Sequence, residues 1–467
     1  MQYHINKTLT FFLLLTFSAT TFATQQNPTP AQVKALQQQA LNSDLSYQLV
    51  ESLTVEIGPR LPGTVADIKT VEWSEKQLKR LGFDKVYREP VTIPVWKRGD
   101  AKASITAPFP QNIVVTALGG SVATPKEGIE AEIVRFDSIE QVEQASAAEI
   151  EGKIVFIDPI TERHRTGKGY GKVVGARSKG AVESAKKGAV AVVIRSIGTD
   201  SDRFAHTGMM RYADDVVRIP AAAMSVPDAE LVNAMLKRDL PVKIKLHMTP
   251  AHKGEGTSYN VIGEITGSQY PDEIVLLGAH HDSWDEGTGA LDDGAGMGIV
   301  MATGAIIKKS GIQPKRTLRV VLYAAEEIGL IGAKAYVEAH KAELDKHKFA
   351  LESDFGAGYI WRFDTRVNDS ALPAMQKIAD ALAPLGIERG HNEASGGPDV
   401  SMLPNYGVPV VSLQQDGSDY FDYHHTPNDT LDKIDPVKMK QNTAAWVTFA
   451  ILAAAVDTPL RPIPPKE

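Results

Sequence analysis

The 467-residue sequence contains no cysteine. That excludes disulfides, thiolate metal ligands and a cysteine nucleophile, so any metal must be held by histidine and carboxylate. Positive charge is not in excess. Fifty Lys and Arg against 57 Asp and Glu give a net charge of −7, which leaves no electrostatic footprint for nucleic acid. Beyond the N-terminus no apolar run reads as a membrane span. There is no tandem repeat, and no low-complexity tract apart from a proline-rich C-terminal tail. What remains is an ordinary globular composition, 43% hydrophobic and 23% charged, at a length that suggests more than one domain.

The N-terminus reads as a secretory signal peptide. Lys7 precedes an apolar run from Leu9 to Phe17, and small residues follow, ending at Ala23. The run is too short to anchor the chain comfortably, and a Thr/Gln/Pro-rich segment follows it in place of a stop-transfer pattern. The expectation is cleavage after Ala23 and a soluble, exported protein, periplasmic or secreted, with no stable membrane anchor.

Residues 30 to 85 carry apolar positions at helical spacing, interrupted by the Gly- and Pro-rich loop "EIGPRLPGT". "KVYREPVTIPVWKRG" reads as a strand. A block of short strands and small-residue helices over 116–249 lacks any cluster of metal-binding residues, and reads as an α/β insertion. From about residue 258, buried strands alternate with amphipathic helices, which argues for a sheet covered on both faces. The expected division is a discontinuous main domain, 24–115 and 250–467, with the insertion between.

In such sheets, sites form past the carboxyl ends of strands. Three expected strand ends carry acidic or histidine clusters: His280, His281 and Asp282; Glu326 and Glu327; Glu352 and Asp354. A fourth cluster, "YHHTPNDT", holds His424, His425 and Asp429. Carboxylates at the ends of buried strands are costly unless paired or metal-bound. Four convergent sets point to a zinc-type site, and the surplus of carboxylate over histidine suits two ions bridged by an aspartate. Strand alternation lets Asp282 share a face with His280 and orient its imidazole, while His281 points away. Taken singly these signals are weak. His-x-Asp is usually surface polarity, and Glu-Glu a solvated helix start.

Together, "GAHHDSW…GTGALDDGAG", "AAEEIGLIGA", "ESD" and "HHTPNDT" resemble the co-catalytic di-zinc exopeptidase family of the bacterial leucine-type aminopeptidases. The branch they resemble most is that of carboxypeptidase Q, or plasma glutamate carboxypeptidase. "EIGPRLPGT", "IPVWKRG" and "HTGMMRY" extend the likeness over nearly the whole mature chain. The resemblance implies a three-layer αβα core with a mixed, mostly parallel sheet, and a protease-associated-type insertion. It implies two Zn2+ per chain, one held by His280, Asp354 and Asp292, the other by Glu327, His425 and the bridging Asp292. It further implies hydrolysis of dipeptides or short peptides with a free terminus, by a metal-bridged hydroxide with Glu326 as general base, and it allows a homodimer. A glutaminyl-cyclase-type acyltransferase shares the fold but uses one zinc. A receptor-like protein of the same fold has lost ligands that this sequence retains. His281 and His424 are read as neighbours of ligands, Asp293 as a turn former, and Asp285 and Glu286 as loop charges. The Arg163-His164-Arg165 run is read as a solvated loop. His206 is left open between lining a cleft and capping a loop. Tyr420 and Tyr423 are read as walls of a substrate pocket, a role that aromatic packing explains equally well.

Overall fold

The computed structural model describes residues 27–465. The signal-peptide segment, 1–23, lies outside them. Two eight-stranded sheets organise the chain. The first has the order Lys85–Lys97, Ala251–Ile265, Arg316–Tyr323, Tyr270–His280, His347–Glu352, Val410–Gln415, Ile360–Arg366, Glu388–Arg389. Its central strands, from Arg316–Tyr323 through Val410–Gln415, run parallel, and antiparallel pairings lie outside them. Period-two alternation sorts each central strand onto two faces. Val275, Leu277 and Ala279 join one core cluster with the helices Pro30–Leu41, Leu45–Glu56, Ala295–Ser310 and Pro436–Ala453. Ile274 and Leu276 join another, with Ala333, Tyr336 and Val337 of the helix Ile331–His340. Sheet and two helical layers give the α/β architecture expected.

The second sheet begins earlier than residue 116. Strands Ala101–Ala107 and Gln111–Ile113 pair within it, alongside Lys243–Met248. Only Ile105 is buried in the first of these strands. With one buried side chain in seven, the strand lacks the alternation that would have marked it. Four parallel strands, Ile129–Phe136, Ile154–Ile157, Ala191–Arg195 and Ala221–Met224, form the centre of this second module. Residues 138–150 form two short helices, Ile139–Gln144 and Ala147–Ile150, because Ser146 and Glu149 form a capping box that starts a new helix.

A histidine in the core couples this fold to pH. His347 is fully buried, with Nε2 against the Tyr336 hydroxyl at 2.9 Å and Nδ1 against the Glu343 carbonyl at 3.1 Å. Burial lowers its pKa from 6.5 to about 4. Between those values the unfolded chain binds the proton and the native one does not, so stability rises with pH across that window. Acidification from pH 6.5 to 4 is expected to remove about 3 kcal/mol through this one group. His347→Gln should flatten the dependence of the unfolding midpoint on pH in that range; an unchanged slope would refute the assignment.

Candidate metal centre

Three neighbouring parallel strands, Arg316–Tyr323, Tyr270–His280 and His347–Glu352, end at one edge of the main sheet. The backbone there brings His280, Glu326, Glu327 and Asp354 together. Asp292 arrives from the turn preceding the helix Ala295–Ser310, and His425 from the loop after the short helix Tyr420–Tyr423. Ala325 (φ 56°) and His425 (φ 62°) both hold left-handed backbone, a strain of about 1–3 kcal/mol each that persists only where the surroundings enforce it.

Asp292 is central. Its Oδ1 lies 3.1 Å from His280 Nε2, and its Oδ2 lies 3.4 Å from His425 Nε2. His280 Nε2 is also 3.6 Å from Asp354 Oδ1, and His425 Nε2 is 3.0 Å from Glu327 Oε2. Two groups of facing donors thus share one carboxylate. Two ligand atoms each about 2.0–2.2 Å from one tetrahedral ion stand roughly 3.4 Å apart, so the spacing fits zinc. Glu327 Oε1 is buried without a hydrogen-bond partner among the described residues, an orphan that a cation would satisfy. The all-nitrogen-and-oxygen donor set suits the same ion.

The electrostatics belong to a site short of positive charge. Burial, then repulsion from Asp292, raises Glu327 to about 7 against the pull of His425. Burial acts against a charged His425, but Glu327 and Asp292 outweigh it and lift the imidazole to about 9. Burial would raise Asp292 as well, yet His280 and His425 hold it well below the usual carboxylate range. Glu326 is raised well above that range by burial and by Asp354, Glu327 and Asp282, with His280 opposing.

The supporting residues are partly as expected. Asp282 meets His280 Nδ1 through its main-chain carbonyl at 3.1 Å and its carboxylate at 3.5 Å. Its carboxylate has a second task, accepting the amides of Glu326 (3.0 Å) and Glu327 (3.1 Å), which fixes the turn carrying both. Asp293 accepts the amides of His280 and Gly296, both at the site's backbone, and so shapes the turn. His281 points away, toward the Tyr259 carbonyl at 3.1 Å. His424 comes closer than a bystander was expected to. It stacks on His425 with ring centroids 3.5 Å apart and places Nε2 3.6 Å from Asp292 Oδ2. It reaches only that one carboxylate, whereas His425 reaches Asp292 and Glu327 together.

Several expectations need correcting. Asp285 and Glu286 are not solvated loop charges. Arg98 donates to Asp285 (2.5 Å), and Thr116 to Glu286 (2.6 Å), which ties the metal loop to the second module. Nor is the run at 163–165 simply solvated: Arg163 grips Asp422 through both carboxylate oxygens at 2.8 and 2.6 Å, and Arg165 pairs with Asp416 at 2.8 Å. Tyr420 lines the main cavity, but Tyr423 does not. Its ring lies under the Lys433 ammonium, 5.5 Å away. His206 is settled as a loop tie, between the His424 carbonyl at 2.9 Å and Asp200 at 2.6 Å.

Sequence reasoning gave no role to Arg60, and placed Asp429 in the fourth cluster without assigning it one. Arg60 is wholly buried under the metal loop. Asp429 accepts the amides of Leu291 (2.6 Å) and Asp292 (3.2 Å), and burial raises it to about 7. Both lie inside motifs already singled out, "EIGPRLPGT" and "HHTPNDT", and that was the available signal.

The centre opens into a cavity of about 900 Å³ between the two modules. Asp292, Glu326, Glu327, Asp354 and His425 form its floor, and Tyr170 and Arg177 of the second module face them.

The profile of peptidase family M28 matches residues 260–450. Carboxypeptidase Q of Rattus norvegicus is 38% identical over 413 residues, spanning 88% of this chain and 86% of its own. The crystal structure of a peptidase M28 precursor from Shewanella amazonensis superposes with a TM-score of 0.92 at 59% identity, covering 94% of this chain and 99% of that one. A zinc aminopeptidase from Bacillus subtilis shares the fold at a TM-score of 0.61 and 19% identity, covering 88% of this chain and 94% of that one. The chain belongs to peptidase family M28, a family of zinc exopeptidases.

Proposed function

We propose that this protein is an exported di-zinc exopeptidase that hydrolyses dipeptides or short peptides bound by a free terminus. The observation carrying the reading is the shared carboxylate: Asp292 stands between His280 with Asp354 on one side and His425 with Glu327 on the other. Two zinc ions, when bound, would polarise the scissile carbonyl and lower the pKa of the attacking water. Glu326 faces the cavity beside the ligands, its backbone fixed by Asp282. Its raised proton affinity suits a general base that takes a proton from the water and returns it to the leaving amine. Tyr420 walls the cavity. The second module, in the role of a protease-associated domain, closes the site from above and supports His425 through the Thr207 carbonyl, 3.3 Å from Nδ1.

Metal analysis of the purified protein is expected to return two zinc ions per chain, with dipeptide hydrolysis lost on chelation and restored by zinc. One firmly bound ion per chain would favour cyclase chemistry instead. Because burial and Asp292 raise Glu327 to about 7, and Glu327 and Asp292 raise His425 to about 9, zinc binding should release protons and weaken as pH falls below 9, more steeply below 7. Calorimetry in two buffers of different ionisation enthalpy reads that release directly; identical heats would contradict it.

A further inference from the structure

The two histidines of the metal centre differ in what stands behind them. Each turns Nε2 toward the other ligands, so a neutral ring that gives Nε2 to a metal carries its proton on Nδ1. His280 Nδ1 meets Asp282, the carbonyl at 3.1 Å and the carboxylate at 3.5 Å. An anion behind the ring raises its basicity and makes it a stronger donor to metal. His425 Nδ1 meets the Thr207 carbonyl at 3.3 Å and, also at 3.3 Å, Nη1 of Arg177. Nη1 lies 3.4 Å from that same carbonyl. Two donors, one of them cationic, thus compete for one acceptor.

The charge of Arg177 is not answered locally. The residue is 8% exposed, makes no ion pair among the described residues, and has no hydrogen-bond partner at Nε. Arg98, Arg195, Arg316 and Arg319 are buried to a similar degree, and each holds a carboxylate. Nor is the guanidinium free to swing away. Nη2 donates to the Tyr170 hydroxyl at 2.5 Å, and the Tyr170 ring is stacked on Phe421 with centroids 4.6 Å apart. Gly208 lets cation and imidazole touch: a Cβ there would stand 2.3 Å from Nη1 and 2.6 Å from His425 Nδ1. A fixed cation beside a ligand opposes the positive charge that the ligand takes on when it donates to a metal.

We propose that Arg177 makes His425 the weaker of the two histidine ligands, so that the Glu327–His425 position holds zinc less tightly than the His280–Asp354 position and leaves that ion more of its charge for a substrate carbonyl. The proposal rests on the two-zinc reading above and adds to it a division of labour between the ions. Arg177 acts through His425, as a positioning and tuning residue of the second module.

The test isolates each position in the full chain. His425→Ala leaves the His280 position, and His280→Ala leaves the His425 position; zinc competition against a chromophoric chelator reads each affinity. The His425 position should be the weaker by about 10–100-fold, the range over which groups behind a ligand change metal affinity. Adding Arg177→Gln to His280→Ala should tighten zinc binding toward that of the other position, and adding it to His425→Ala should change little. Arg177→Lys keeps the charge and should not tighten binding. Where a single-position variant fails to fold, the stepwise zinc affinities of the otherwise wild-type chain decide, and Arg177→Gln should bring the two steps closer together. The sign separates this role from mechanical support, because removing a mere prop of His425 would weaken zinc binding. Weaker or unchanged binding in Arg177→Gln overturns the inference, and so does a His280 position that binds less tightly than the His425 position. A wild type that takes up only one zinc ion overturns the two-zinc reading itself.

Discussion

Replacing Glu326 with Gln is expected to lower kcat for dipeptide hydrolysis by about 10²–10⁴-fold, the usual contribution of a positioned general base, while leaving the bound zinc in place. The side chains expected to hold metal are His280, Asp292, Glu327, Asp354 and His425, and Glu326 is the carboxylate of the cluster left over. Its amide, not its carboxylate, is what Asp282 secures. The amide isostere keeps that backbone bond, keeps the volume, and removes only the group that accepts a proton. KM should therefore move little, and the loss should fall on kcat. Losing zinc along with activity would show that Glu326 is a ligand. Full activity would show that the proton goes elsewhere.

The second large effect is expected far from any reacting atom. Arg60→Met should destabilise the metal-free protein by about 3–5 kcal/mol, the cost of stranding buried partners of a removed charge. The Arg60 guanidinium donates to the carbonyls of His281 (2.8 Å), Gly58 (3.2 Å), Thr288 (2.6 Å) and Gly289 (2.8 Å), which hold both ends of the metal loop. Four buried acids, Asp429, Asp282, Asp293 and Asp292, favour its charge against the burial that lowers its pKa. Methionine fills the space but leaves four carbonyls without their donor and takes away a positive charge that four buried acids share. Lysine should not rescue it, since one ammonium cannot reach carbonyls spread around a planar fork. Zinc supplies substitute positive charge, so the deficit should shrink in the loaded protein. Denaturant titration with and without zinc tests both statements; a metal-free midpoint within 1 kcal/mol of wild type would sink the argument.

The contrast between these two residues shows what the sequence makes legible. The strands ending on His280, Glu327 and Asp354 announce themselves because an apolar run that stops at a charge is a local pattern, and the main sheet could be read from it. Arg60 could not be assigned, because three of the four carbonyls it holds lie more than 220 residues away, and carbonyls are carried by every residue. The strand Ala101–Ala107 was missed for a related reason: nearly all its side chains are half-exposed or exposed, so pairing rather than burial defines it. Asp285 and Glu286 were misread because a charge in a Gly-rich loop looks the same whether water or Arg98 answers it.

The two strands that bracket the second module, Lys85–Lys97 and Ala251–Ile265, are hydrogen-bonded neighbours, with Lys97 opposite Ala251. Just inside them, Ala101 pairs with Met248, and the Thr249 amide bonds the Asp100 carbonyl at 2.9 Å. Completing the module's own sheet therefore delivers both ends of its chain to the positions that the main sheet's edge requires. A module that folds first shortens the loop that this edge must close from about 150 residues to a few, and the entropy of closure falls with the logarithm of that length. The insertion, placed in the middle of a sheet's sequence, thus acts as a clamp that brings the edge strands within a short closure, whereas the metal loop still draws on Arg60 on one side of the insertion and His425 far beyond the other.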